Sequence, residues 1–148
     1  MSIDIYLLPL QPADSFEVAE VVLASLECNA EAGPHVDIRD AAEVIIRMDG
    51  RYTPFEKDYV AIAAFENTTE EEARRRYDHV ELNGVATNGA PLAQMIFYRK
   101  WAVISWYSGT TADELDRYVI AICASTGLAA VDPQARTVWR LQPDGTLA

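Results

Sequence analysis

The stretch from Gln94 to Tyr107 constrains this chain most. Met95-Ile96-Phe97-Tyr98 and Trp101-Ala102-Val103-Ile104-Ser105-Trp106-Tyr107 are rich in β-branched and aromatic side chains, which suit a half-buried pleated surface. The charged break at Arg99-Lys100 makes a hairpin of them, although it lacks the Gly or Asn that a type I′ turn prefers. Thr69-x-x-Glu72 caps a short helix leading toward it, with acids in the first turn and Arg74, Arg75 and Arg76 in the last, the order the helix dipole favours. His79-Val80-Glu81-Leu82 then reads as a strand, and Asn83-Gly84, Asn88-Gly89 and Pro91 mark a loop before the hairpin.

Ile3 to Leu8 alternates around Asp4 and reads as a strand closed by Pro9. Asp14 and Glu17 have capping-box spacing, with Phe16, Ala19, Leu23 and Leu26 on one helical face and Gly33-Pro34 as the stop. A second helix is expected from Asp37 to Gly50, burying Ile38, Ala41, Ala42, Ile45 and Met48. Thr53-Pro54-Phe55-Glu56 predicts a third, through about Phe65, because a threonine cap, a first-turn proline and a glutamate at the third position each deal with an orphan N–H. Thr111-x-x-Glu114 caps an amphipathic helix in which Leu115, Tyr118, Val119, Ile122 and Cys123 fall on one face, ending at Gly127. Leu128 to Val131 and Arg136 to Leu141 give two last strands around the Asp132-Pro133-Gln134-Ala135 turn. Gln142 to Ala148 reads as a loose tail.

With helices early and strands late, the chain is expected to be one α+β domain. A mainly antiparallel sheet of about five to six strands would be packed by N-terminal helices and one amphipathic C-terminal helix. A chain of 148 residues can bury one adequate core without staples. Cys28 and Cys123 are expected to be buried free thiols. The N-terminal run has an acid inside it and no basic residues before it, and no segment approaches the apolar length of a membrane span, so a cytoplasmic protein without membrane association is expected.

The formal net charge of −11 repels phosphate backbones and would attract a basic protein partner. The acidic first turn Glu70-Glu71-Glu72 also opposes a helix-turn-helix reading of residues 53 to 77, so no nucleic acid is expected. No nucleotide-binding or nucleophile-elbow motif occurs, and neither metal nor cofactor is expected. Two candidate surfaces remain. His79 and Glu81 share a strand face at i, i+2 and, with Tyr77 and Asn83 and with Asp132 and Gln134 nearby, would form a pocket for a small enzyme or ligand-binding domain. Trp101, Trp106, Tyr107 and Trp139 exceed what one sheet face must bury, and Trp106 and Tyr107 beside Asp113, Glu114 and Asp116 would form a protein-binding face. His35, in a Gly-Pro loop, is the second histidine.

Glu71 to Asn83, followed by Gln94 and a hairpin and later by Gly127-Leu128 and Asp132-Pro133-Gln134, resembles a group of small bacterial proteins that begin Ser-x-Asp-x-Tyr and end in an aromatic-Asp-Pro-Gln turn. The resemblance covers the start and roughly residues 55 to 141, and Val131 stands where those proteins carry the aromatic. In overall character the chain is similar to the immunity proteins that bacteria pair with secreted toxins. That similarity implies a non-enzymatic protein that occludes the active site of a cognate, basic toxin; a homodimer stays open.

Overall fold

In the computed structural model, which describes residues 3–28 and 36–148, these residues form five helices and a seven-stranded antiparallel sheet. The chain is thus α+β, with more strands than the five to six expected. The elements are β1 (Ile3–Leu8), α1 (Phe16–Cys28), α2 (Ala41–Met48), β2 (Tyr52–Pro54), α3 (Tyr59–Glu66), α4 (Glu70–Arg76) and β3 (Val80–Val85). After them come β4 (Pro91–Phe97), β5 (Ala102–Trp106), α5 (Ala112–Thr126), β6 (Ala129–Asp132) and β7 (Thr137–Trp139). The strand order is β2-β3-β4-β5-β1-β6-β7, so β1 is inserted between β5 and β6.

Alternation along the strands divides the core in two. Ile5, Leu7, Leu82, Met95, Phe97 and Ile104 face one side, where α2 and α5 supply Ala42, Ile45, Tyr118 and Ile122. Leu8 and Val131 face the other, where α1 supplies Phe16, Ala19 and Leu26 and Trp101 closes the cluster. All five apolar residues expected on the inner face of α5 are buried, its capping box is formed, and Gly127 takes the left-handed conformation (φ 76°) that ends it.

Several local expectations are overturned. Thr53-Pro54 does not start a helix: Tyr52–Pro54 pairs with Leu82–Gly84 as an edge strand, where proline costs no ladder hydrogen bond. Helix α3 starts later, where the Asp58 carboxylate accepts from the Ala61 N–H at 3.0 Å, and Phe55 stays exposed. Asn83-Gly84, read as loop, lies inside β3. The Asp14 carboxylate accepts from the Gln11 N–H in the preceding turn, and α1 starts one residue later than a cap at Asp14 would place it. Helix α2 begins at Ala41, because Asp37 is drawn into an ion pair with Arg39, and Met48 is exposed.

The tail is not loose. Arg140 and Ala148 exchange backbone hydrogen bonds at 2.9 and 3.0 Å, and Leu147 packs against the core. Both cysteines are free, but Cys28 is exposed at the end of α1 and only Cys123 is buried. The expected stop at Gly33-Pro34, and His35, lie outside the described residues. No helix among the described residues is long and apolar enough to cross a membrane.

Candidate functional site

Strand β3 places Glu81 and Asn83 on the face away from α2 and α5, because Val80 and Leu82 point into that core. The Asn83 side-chain amide donates to Glu81 Oε2 at 3.0 Å, and Gln94 Nε2 donates to Asn83 Oδ1 at 3.3 Å. His79, just before the strand, lies against the Tyr98 ring at 5.3 Å, and Tyr98 stacks on Trp101 at 4.3 Å. Burial, reinforced by the charge of Lys57, holds the His79 imidazole below its ordinary pKa, so it is neutral at pH 7. The Lys57 ammonium donates to the backbone carbonyls of Tyr77 and His79. The Tyr77 hydroxyl donates to Glu66, while its ring meets His79 edge-on at 6.4 Å between centroids.

A hollow of about 530 Å³ lies beside this row, between the C-terminal ends of α1 and α4. His79, Tyr98 and Trp101 line it with Arg75, Arg76 and Asp78, whereas Tyr77, Glu81 and Asn83 do not. Asp132 and Gln134 are brought nowhere near: three strands separate β3 from β6. The six residues expected to converge as one pocket are therefore split. Glu81 is bonded to an amide rather than to His79, and no three His, Cys, Asp or Glu residues among those described are grouped to hold a metal.

The second surface is partly assembled. Trp106 and Asp116 line a groove of about 570 Å³ between α5, the β1 and β6 part of the sheet, and the C-terminal hairpin. Ile3, Ile5, Leu115, Val119, Ile120 and Leu147 make its apolar wall, with Trp139 as a second indole and Asp132 as a second carboxylate. Among the described residues no basic side chain lines it. The Trp106 ring is fixed because its indole N–H donates to the Thr110 carbonyl at 2.7 Å.

Asp113 and Tyr107 are exposed but line no part of the groove. Glu114 is committed elsewhere: it completes the α5 cap and pairs with Arg51, which lowers its pKa. Sequence reasoning singled out both tryptophans but not Leu147, which lay in the presumed tail. Ile3 and Trp106 become neighbours only through the pairing of β1 with β5.

A second apolar surface is α3 itself. Val60 and Phe65 project into solvent, Phe65 being 91% exposed, and among the helix residues only Ala63 is buried. Comparison with protein-family models, with curated proteins and with solved structures gives no match.

Proposed function

We propose that this chain is a non-catalytic binding protein of the immunity type, which occupies a cognate secreted toxin through the acid-lined groove beside α5. The observation that carries this reading is the groove itself: two indoles and an aliphatic wall, with Asp116 and Asp132 as its charged groups. Concave, mostly apolar sites with a few directed polar groups are where specific binding is concentrated. The net charge of −11 adds long-range attraction for a basic partner. A cytoplasmic, bacterial setting belongs to the same proposal.

Titration calorimetry of the chain against a panel of toxin domains, at low and moderate salt, tests it. A 1:1 complex that weakens with salt and protects the toxin's target is expected. No binding to the panel, together with a turnover lost on His79→Ala, would replace it with the enzyme reading.

The hollow beside His79 favours a second reading, a small-ligand domain, because stacked rings and arginines line one concavity. Amide shifts centred on His79 and Tyr98 during a ligand screen would identify it.

A further inference from the structure

The chemistry of the α5 groove is narrower than a general apolar surface. Among the described residues its charged groups are both carboxylates, set among indole and aliphatic side chains. An apolar occupant without a cation would desolvate these acids without compensation, and an anion would be repelled by both. A purely polar cation would leave the aliphatic wall unused. The groove thus calls for an apolar stem ending in a positive charge.

The second carboxylate narrows the head group. Asp132 Oδ1 already accepts from the Gln134 and Ala135 backbone N–H groups at 2.9 and 3.2 Å. Only Oδ2 is left to face an occupant, so the parallel two-bond grip of a guanidinium is blocked there. A compact ammonium, which acts as a point charge, needs no such fork. Trp106 and Trp139 line the same groove, and tryptophan is the side chain that best attracts a desolvated cation.

We infer that the groove takes a lysine side chain of the protein partner, its methylene stem along Leu115, Val119 and Leu147 and its ammonium between Asp116 and Asp132. This rests on the binding-protein reading above. Neither nearby guanidinium competes for the site: Arg117, the chain neighbour of Asp116, does not line the groove, and Arg51 is held by Asp49 and Glu114.

The test uses n-hexylammonium, n-hexylguanidinium, n-hexanol and n-hexanoate as probes of the intact chain, followed by the indole N–H resonances of Trp106 and Trp139. Hexylammonium is expected to bind about threefold or more tightly than hexanol at low salt, with hexanoate weakest, and Asp116→Asn should remove that preference. Asp116 is exposed, so the variant folds. Equal affinity for hexanol and hexylammonium, tighter binding of n-hexylguanidinium than of hexylammonium, or shifts centred on Tyr98 instead of the two indoles, overturns the inference. Hexylammonium binding without any toxin partner would leave the groove chemistry standing and remove the immunity reading. A toxin complex indifferent to Asp116→Asn and Asp132→Asn would do the reverse.

Discussion

The Tyr118 hydroxyl donates to Asp49 Oδ2 at 2.6 Å, joining the middle of α5 to the end of α2. Arg51 completes the link, donating to Asp49 at 2.7 Å and to Glu114 one turn earlier on α5. The guanidinium holds both carboxyls below their ordinary range, with the Tyr118 hydroxyl adding to the effect on Asp49. Burial and, after it, the hydrogen bond to Asp49 push the Tyr118 phenol up.

Because both acids have depressed values in the folded state, the stability they contribute is complete above the unfolded carboxylate range, near pH 4, and is lost as pH falls below it. The thermal midpoint should be flat with respect to these groups between pH 5 and 8 and then fall with acid. Asp49→Asn should cost about 2 kcal/mol at pH 7, since it removes hydrogen bonds to a charged group, and should flatten the acid limb. Scanning calorimetry from pH 3 to 8 measures both; an unchanged acid limb would disprove the assignment.

A Cβ at Gly84 would fall 2.5 Å from Tyr52 Cε1 and 2.9 Å from Leu92 Cβ. Both neighbours are fully enclosed, so they cannot swing away. Gly84→Ala is expected to destabilise by about 1–3 kcal/mol through overpacking, read as a lower urea midpoint.

The Thr110 side chain is buried, and its Oγ1 accepts from the Ala93 N–H at 3.0 Å. Thr110→Val keeps the shape and orphans that donor, which should cost about 1–3 kcal/mol, whereas Thr110→Ser should recover most of the loss. Hydrogen exchange at Ala93 should rise only in the valine variant.

The two thiols should differ sharply toward an aromatic disulfide reagent at pH 8. Cys28 is exposed, whereas burial pushes the Cys123 thiol up to about 11. One equivalent should react in the native chain and the second only on unfolding. Two fast equivalents would contradict the packing of α5.

Short-range signals were legible where local chemistry and burial agree. Helix α5 is the clearest instance, since Thr111, Glu114 and Gly127 cap the same segment whose apolar residues enter the core. They misled at Thr53-Pro54, which carries a helix-start pattern yet is taken by β3, some thirty residues further on. What decides there is Tyr52, whose ring is sealed under Gly84, a tertiary effect no window around Thr53 contains. The tail was misread for the same reason: its partner is the Arg140 backbone, and Gly145 makes the reversal.

The candidate surfaces followed a similar division. His79, Glu81 and Asn83 lie close together because they are neighbours in sequence. Trp106, Asp116, Trp139 and Asp132 share a groove because β1 separates β5 from β6, and strand order is not written in local periodicity.

The central place of β1 also sets a timetable. The first strand of this sheet in chain order has both of its neighbours, β5 and β6, in residues 102 to 132. The meander β2-β3-β4 can pair as soon as it emerges, but Ile3 to Leu8 must wait, with its ladder groups unpaired, until most of the chain has been made. Nascent chains in which β4 but not β5 has cleared the ribosome should therefore resist proteolysis between β2 and β4 while remaining open to it at β1, and protection of β1 should arrive with β5 and be completed with β6.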